Sequence, residues 1–468
     1  MEKRWACTVI AQGFLSMLDI AIKGGVMVTE HGQFPADLGI EADFISIISA
    51  PGALPPARRE EIAAGCLVLP GVVDIHFHVR APAHPHRGTF ITETQAAAAG
   101  GVTTVLEMPI SVPCCTRPDI FEMRRKLGER DSYVNFGLYG APGLLVRDDI
   151  LGMTDAGAIA FKIFTHAVPT GREAEFSGLC LDRADDLYRM LELVKETGRM
   201  VSCHAENEQL IQLFEARTKG VGRADARAFM ESRPPVAESV SIAQLAAMSA
   251  DVGTQVHIAH VSGAAALHQL QLAQAAGVSM TGETCPQYLF FTASDMDRHG
   301  PFAMIKPPLR TDVDNAALWS GLLGGSLIAI ASDHSPFTLE EKERGIQDIW
   351  KGAIGLPGVE ALLPSVMTEA IDGRFPLSTA IRLLCSQPAR LVNLFPQRGT
   401  LQVGAAADVV IYDPRTEGVM DTKHWFTKAR SIDRLYNGRR QKGAVRMTIV
   451  NGTVVYSKGQ IVAESGGG

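Results

Sequence analysis

Short apolar runs alternate with helical stretches over residues 71–394, and this alternation restricts the fold more strongly than any other property of the sequence. The runs have the length and β-branched content of buried strands, and helical segments such as Arg183–Thr197 and Val240–Ala250 lie between them. Eight strand–helix repeats predict an α/β fold, a (β/α)8 TIM-like barrel. A doubly wound open sheet is the alternative, but it would need a glycine-rich phosphate turn after its first strand, where the sequence has none. The predicted strands are Val72–Ile75, Thr103–Glu107, Val134–Leu138, Ala160–Ile163, Met200–Cys203, Val256–Ala259, Val278–Thr281 and Leu327–Ala331.

The segments on either side of this barrel consist of short alternating strands and turns. Each would bury little core by itself, so we predict that both chain ends pair into one β-sandwich domain, with two separate β-modules as the alternative. Asn451-Gly452 predicts a type I′ hairpin, and Gly24-Gly25 predicts a turn. The predicted domains are residues 18–70 for the first part of the β-sandwich, 71–394 for the barrel and 395–460 for the second part.

Composition excludes several classes of protein. The formal net charge is −7, and no basic block indicates binding to nucleic acid. No apolar run reaches the roughly 18 residues that a membrane helix needs, so we expect no membrane partner. The eight cysteines have no regular spacing, and we interpret them as reduced thiols of a cytoplasmic protein. We interpret residues 1–16 as a non-structural extension, or as the result of a start codon placed ahead of Met17.

Polar side chains that can bind a metal ion recur at the ends of five predicted strands. His76 and His78 follow Val72–Ile75, and residues two apart on a strand face the same side, so both imidazoles can chelate one divalent ion. Any one such residue alone is more simply explained as structural. Packing, however, does not require polar residues at the same end of successive strands, which is where barrels carry their active sites. The candidate residues are His76, His78, Lys162, His204, His260 and Asp333.

The sequence resembles the cyclic amidohydrolases of the amidohydrolase superfamily, which include hydantoinase, dihydropyrimidinase, allantoinase and dihydroorotase. The resemblance extends from about residue 18 to residue 460. Glu107–Ile110, Gly137–Gly140, Gly345–Lys351 and Gly399–Gly404 look most like the L-hydantoinase branch, and Glu231–Pro234 is similar to allantoinase, the nearest alternative. The shared motifs are Pro70–His78, Ala97–Thr104, Phe161–Lys162, His204–Asn207, His260–Ser262, Glu283–Tyr288, Pro307–Arg310 and Ser332–Pro336.

The resemblance implies two divalent metal ions, most often zinc, with manganese or cobalt as alternatives. It implies that Lys162 bridges them as N6-carboxylysine. Electrostatics favours this modification, because an ammonium beside two dications is repelled whereas a carbamate supplies anionic oxygens. The implied reaction is attack of a metal-activated hydroxide on a ring carbonyl, with Asp333 carrying the proton to the departing ring nitrogen. The implied ligands are His76, His78 and Asp333 for the more buried ion, and His204 and His260 for the other.

The implied substrate is a small cyclic amide, hydantoin-like first and allantoin second. Dihydropyrimidinase and dihydroorotase activities rank after these two. The alternative from another functional class is a family member that acts as a scaffold without catalysis. Dihydroorotases hold the substrate carboxylate with an arginine and an asparagine; Arg80 is present here, but Ile110 takes the asparagine position. D-Hydantoinases place an oxyanion-donating tyrosine five residues after the lysine, where this chain has Ala167, with Thr165 and His166 as alternatives.

The remaining predictions concern the other histidines, the oligomeric state and the residues around the substrate. His84 and His86 lie in a proline-rich loop, and we expect neither these residues nor His257 to be metal ligands. The family is commonly tetrameric, so the resemblance implies a homo-oligomer, a tetramer or a dimer. Candidate apolar residues of the substituent pocket are Phe90, Leu138, Phe164, Phe337 and Trp350, of which we expect at least half in the core. The candidate substrate contacts are Arg80, Thr284, Cys285, Ile305, Pro307 and Trp350.

Overall fold

The computed structural model describes residues 17–466, in which the strands form two sheets, one of eight strands and one of nine. The interpretation of residues 1–16 as an extension concerns residues outside this range. In chain order the strands are β1 Leu18–Thr29, β2 Gly32–Glu41, β3 Phe44–Ser49, β4 Ala57–Ile62, β5 Leu67–Pro70, β6 Val72–Phe77, β7 Val102–Glu107, β8 Asn135–Gly140, β9 Ala160–Phe164, β10 Val201–His204, β11 Val256–Ile258, β12 Met280–Thr284, β13 Ala329–Ile330, β14 Val409–Val419, β15 Arg440–Val450, β16 Thr453–Ser457 and β17 Gln460–Ile461.

The eight strands β6 to β13 are parallel and lie side by side in sequence order, as a barrel requires. The first and last strands meet through a parallel bridge between Phe77 and His334, and the His78 N–H donates to the His334 carbonyl over 2.9 Å. Helices cover the outside, so strands such as β6 and β7 are buried along their whole length. The predicted (β/α)8 barrel is therefore confirmed.

The helices of the described residues follow the strands in the order that the alternation predicts. The predicted helices Arg183–Thr197 and Val240–Ala250 correspond to α5 and α8. In chain order the helices are α1 Phe90–Ala99, α2 Pro118–Asp131, α3 Arg147–Asp155, α4 Glu173–Phe176, α5 Ala184–Lys195, α6 Glu208–Gly220, α7 Ala226–Glu231, α8 Pro235–Val252, α9 Ala264–Ala275, α10 Pro286–Phe290, α11 Ala293–His299, α12 Asp312–Gly324, α13 Leu339–Gln347, α14 Val359–Ile371, α15 Leu377–Ile381 and α16 Gln387–Leu391.

Both chain ends contribute to the second sheet, as predicted. Strand β14 pairs antiparallel with β5, which joins the N-terminal strands β1 to β5 to the C-terminal strands β14 to β17. The long strand β1 pairs with β4 along its first half and with β5 near Val26 and Met27. One apolar cluster contains residues of both ends, among them Ile22, Ile40 and Ile449, so neither end has to bury a core alone.

Two glycine-containing turns were predicted in this domain, and only one is a turn. Asn451 and Gly452 join β15 to β16 with φ values of 45° and 74°, as a type I′ hairpin requires. Gly24 and Gly25 instead lie inside β1, where the register shifts between Ile22 and Gly25. A Cβ on Gly25 would lie 2.6 Å from Val68 Cγ2, so this glycine allows β5 to approach β1 and does not reverse the chain.

Among residues 17–466, none of the helices combines the length and apolar character needed to cross a bilayer. Strand β5 ends at Pro70 and β6 begins at Val72, so the chain passes from the small domain into the barrel at Gly71. We propose that residues 71–394 form the barrel domain, and that residues 18–70 and 395–460 form the two parts of the small domain.

Candidate active site

Five of the six predicted ligand residues lie at or just beyond the carboxyl ends of barrel strands, and Lys162 lies in the middle of its strand. His76 is on β6, Lys162 on β9 and His204 at the end of β10, while His260 and Asp333 follow β11 and β13 by two and three residues. His260 and Asp333 have φ values of 39° and 46°, a left-handed conformation that non-glycine residues seldom adopt. Such backbone strain is concentrated at functional sites in proteins.

Three of these residues form a compact donor group. Asp333 Oδ1 lies 3.3 Å from His76 Nε2 and 3.3 Å from His78 Nε2. One ligand atom from each residue lies within 4.8 Å of the others. Two imidazole nitrogens and a carboxylate oxygen are donors that suit a transition metal such as zinc.

A second donor pair lies beside this group. His204 Nδ1 is 3.0 Å from His260 Nε2, and the rings of His260 and His76 are 5.2 Å apart. Glu206 Oε2 lies 2.7 Å from His204 Nε2 and also accepts from Arg233. A carboxylate on Nε2 keeps the proton there, so Nδ1 presents its lone pair towards His260.

Glu283 supports the first group in the same way. Its Oε1 lies 2.6 Å from His76 Nδ1, and its Oε2 lies 3.3 Å from His257 Nε2. No local sequence signal marks the roles of Glu206 and Glu283, although both lie in the motifs that carry the resemblance. The nitrogens of His257 face Thr281 and Glu283, and its exclusion as a metal ligand stays a prediction.

Lys162 is fully buried among these ligands, and its Nζ has no hydrogen-bond partner within the described residues. Burial lowers the pKa of Lys162 to about 8, against the opposing effect of Glu283 and Asp333. A buried ammonium without a hydrogen-bond partner is unfavourable. A carbamate in its place would offer two oxygens to metal ions held by the surrounding donor residues. This orphaned nitrogen and the donor set around it fit a bridged metal pair.

Burial also sets the protonation state of the imidazoles. It lowers the pKa of His78, His204 and His260 well below the usual histidine value, with further lowering by Arg80 for His78 and by Lys162 for His204. These side chains are therefore neutral near pH 7, the form that binds metal ions.

The ligands open into a cavity of about 680 Å³. Of the predicted substrate contacts, Arg80, Ile305 and Trp350 line it. Thr284, Cys285 and Pro307 are not among the lining residues: the first two are fully buried, and the Pro307 carbonyl accepts from Tyr288 over 2.7 Å. The apolar candidates divide between the two places, with Phe164, Phe337 and Trp350 on the wall and Phe90 and Leu138 in the core.

The two candidate oxyanion donors occupy different places. The Thr165 hydroxyl faces the carbonyls of His204 and Glu206, so it holds the end of β10. His166 lines the cavity and its Nδ1 lies 2.7 Å from the Ala167 carbonyl, which fixes the proton on Nδ1 and leaves Nε2 as an acceptor. A neutral His166 therefore cannot donate to an oxyanion through Nε2.

Comparison with known proteins agrees with this site. The model of the amidohydrolase family matches residues 67–455. An L-hydantoinase of Paenarthrobacter aurescens is 34% identical over 97% of this chain and 97% of its own, and an allantoinase of Deinococcus radiodurans is 33% identical over 95% and 96%. The solved L-hydantoinase (dihydropyrimidinase) of Arthrobacter aurescens superimposes with a TM-score of 0.91 at 33% identity, covering 96% of this chain and 98% of that one.

A barrel with histidines and an aspartate at its strand ends, together with the family match, indicates a hydrolase of the amidohydrolase type. The chain belongs to the amidohydrolase family. Within this family, the similarity to hydantoinase and allantoinase identifies the chain as a cyclic amidohydrolase, an enzyme that acts on small cyclic amides. The predicted resemblance is confirmed at this level.

Proposed function

We propose that the protein opens the ring of hydantoin-type substrates by hydrolysis of a ring amide bond, using two divalent metal ions. The observation that carries this proposal is the convergence of two donor groups around the orphaned Lys162 amine at one end of a 680 Å³ cavity. Zinc is the preferred metal, because the donors are mainly imidazoles, and manganese or cobalt remain alternatives.

The residues divide the task in this proposal. His76, His78 and Asp333 hold one ion, and His204 and His260 hold the other, with Lys162 as N6-carboxylysine between them. When bound, the ions lower the pKa of water and polarise a carbonyl. The Asp333 carboxylate would accept the proton of the attacking water and deliver it to the departing ring nitrogen. Burial raises the pKa of Asp333, which favours proton uptake, while His76 opposes the shift.

Allantoin is the second candidate substrate, supported by the allantoinase that is 33% identical over 95% of this chain. Dihydroorotate is less favoured, because the apolar Ile110 lines the cavity where a dihydroorotase would have an amide donor. A non-catalytic scaffold is disfavoured by the presence of all six ligand residues. Arg80, Ile305 and Trp350 are the proposed substrate contacts on the cavity wall, and Thr284, Cys285 and Pro307 would act only through neighbouring groups.

The test is a panel of 5-substituted hydantoins, allantoin, dihydrouracil and dihydroorotate, with zinc, manganese or cobalt and bicarbonate supplied. Ring opening of a hydantoin with the highest kcat/KM supports the proposal. Exclusive turnover of dihydroorotate, or no turnover of any ring with any metal, would overturn it.

The carboxylation of Lys162 has its own test. Enzyme loaded with metal in ¹³C-bicarbonate should give a carbamate carbon signal by NMR, and Lys162→Met should lack it. A Lys162 amine that stays unmodified in the metal-loaded enzyme would contradict this part of the proposal.

A reducing, cytoplasmic location is supported by the seven cysteines between residues 17 and 466, none of which forms a disulfide. We retain a homotetramer or homodimer as a proposal from the resemblance. Light scattering at several concentrations tests it, and a monomer at all of them would contradict it.

A further inference from the structure

Eight lysine and arginine side chains line the cavity, although the whole chain has a formal net charge of −7. Two of the eight, Arg80 and Lys306, have no carboxylate within 4.0 Å among residues 17–466. The other six each form an ion pair with a carboxylate: Arg87, Arg172, Lys219, Arg233, Arg344 and Lys351.

Lys306 differs from Arg80 in having no other partner. The Arg80 guanidinium donates to the Ser335 hydroxyl and lies 4.9 Å from the centre of the Phe337 ring. In the part of the chain that the structure describes, the Lys306 amine has no hydrogen bond, ion pair or aromatic contact. Among the described residues, Arg80 and Lys306 are the two basic groups of this cavity that no carboxylate neutralises, and of these two only Lys306 also lacks a hydrogen bond.

The backbone that carries Lys306 is firmly held. The Pro307 carbonyl accepts from the Tyr288 hydroxyl over 2.7 Å, and the Met304 carbonyl accepts from the Gly355 N–H over 3.0 Å. The side chain is partly buried against this wall, and burial together with the nearby Arg233 lowers the pKa of Lys306 to about 7. A bound anion would offset both costs, because it supplies the missing charge and acceptor.

The neighbouring carboxylates are engaged elsewhere. Glu208 also lines the cavity, but it accepts from the Ala167 N–H and the Gln212 amide, each over 2.8 Å. Glu206 holds His204 and Arg233 through Oε2, while its buried Oε1 has no partner among the described residues. The alternative to a ligand-binding role is a structural one, in which the charge of Lys306 stabilises the buried carboxylate of Glu206.

We propose that Lys306 is a specificity-determining residue that binds an anionic ring substituent, so that the preferred substrates are hydantoin-type rings whose 5-substituent carries a carboxylate. This inference rests on the proposed function and names its substrate class. Interaction with a fixed cation would favour a charged substituent over a neutral one of the same shape.

The experiment compares 5-(carboxymethyl)hydantoin with its near-isosteric neutral amide, 5-(carbamoylmethyl)hydantoin. Wild-type enzyme should prefer the carboxylate. Lys306→Met should lower kcat/KM for the carboxylate about 10- to 100-fold and leave the amide within about twofold. Lys306→Arg should retain much of the preference. Lys351→Met, which removes a paired lysine of the same cavity, should leave the ratio unchanged.

Two results would overturn the inference. One is a wild-type enzyme without preference for the carboxylate. The other is an equal loss on both substrates in Lys306→Met, as support of Glu206 would produce. Binding of both compounds is measured by calorimetry in parallel with turnover. If neither of these two rings is opened, the proposed function is decided by the wider substrate panel. A 10- to 100-fold loss of affinity for the carboxylate alone in Lys306→Met still decides the role of Lys306.

Discussion

His76 and Glu283 are 207 positions apart in the chain, and their side chains meet with 2.6 Å between Nδ1 and Oε1. Both side chains are buried, so no water competes for this contact. It fixes the proton of His76 on Nδ1 and directs Nε2 towards Asp333, 3.3 Å away. Strand β12, which lies two strands from β6 around the closed barrel, thus determines which imidazole nitrogen is free to bind a metal ion.

Replacement of Glu283 should therefore weaken metal binding more than it harms the fold. Glu283→Gln keeps an acceptor near His76 but removes the charge that raises the basicity of the imidazole. We expect metal affinity to fall about 10- to 100-fold, measured by competition with a chelating dye. Glu340→Gln, which alters an exposed carboxylate on α13, is the control and should bind metal as the wild type does. Unchanged affinity in Glu283→Gln would contradict the assignment.

Asp333→Asn tests the proton-transfer role. The amide cannot accept a proton near neutral pH, so kcat should fall about 10²- to 10⁴-fold. Circular dichroism and metal content distinguish this loss from unfolding or loss of an ion. A variant that retains metal and turns over at nearly the wild-type rate would refute the role of Asp333.

The barrel could be predicted from sequence because its strands are buried on both faces and are rich in apolar and β-branched residues, as in β6. The joining of both chain ends in one domain could be predicted only on the weaker argument that neither end could bury a core alone, and the sequence does not indicate that β14 and β5 are the strands that pair. The turn predicted at Gly24-Gly25 was wrong, because a glycine pair is also the signature of a bulge. Only the neighbouring strand, with Val68 against Gly25, distinguishes the two.

The site could be predicted in part for a similar reason. His76 and His78 can be predicted as a ligand pair from their spacing, because strand geometry alone puts both side chains on one face. The support from Glu283 depends on a tertiary distance that spacing does not encode. Sequence likewise does not tell whether Thr284 faces the cavity or the core, and its hydroxyl in fact donates to the Val261 carbonyl over 2.8 Å.

A buried ion pair holds the segment that carries His78. The Arg124 guanidinium contacts Glu107 and donates to the Pro109 carbonyl over 2.8 Å, and Glu107 Oε2 accepts from the Val79 N–H over 2.9 Å. Arg124→Met would leave the buried Glu107 charge uncompensated, so we expect a loss of about 3–5 kcal/mol in the free energy of unfolding by urea.

The double variant Arg124→Met/Glu107→Gln provides the control for this pair. It removes the stranded charge and should recover part of the loss, with a coupling energy of about 0.5–3 kcal/mol in a double-mutant cycle. Additive effects of the two substitutions would mean that the pair does not act as a unit.

Acid should weaken the contact between the small domain and the barrel. Glu30, between β1 and β2, accepts hydrogen bonds from Arg390 and Ser386 near α16. The Arg390 hydrogen bond is the largest cause that lowers the pKa of Glu30 to about 2, below the ordinary value of 4.5. A carboxyl whose pKa is lowered by folding stabilises the protein above its unfolded pKa, and this stabilisation is lost as pH falls from about 4.5 to about 2. Because the group is partly solvated, we expect about 1–2 kcal/mol.

Urea unfolding between pH 7 and pH 3 measures this contribution. Glu30→Gln should be less stable than the wild type at pH 7. The difference should shrink steadily below pH 4.5, because Glu30 takes up a proton in the unfolded chain at a higher pH than in the folded protein. Glu60→Gln is the matched control, because its partner Lys23 belongs to the same small domain and the Glu60 side chain is 47% exposed. A difference between Glu30→Gln and wild type that stays constant over this pH range would show that the charge of Glu30 does not hold the small domain to α16.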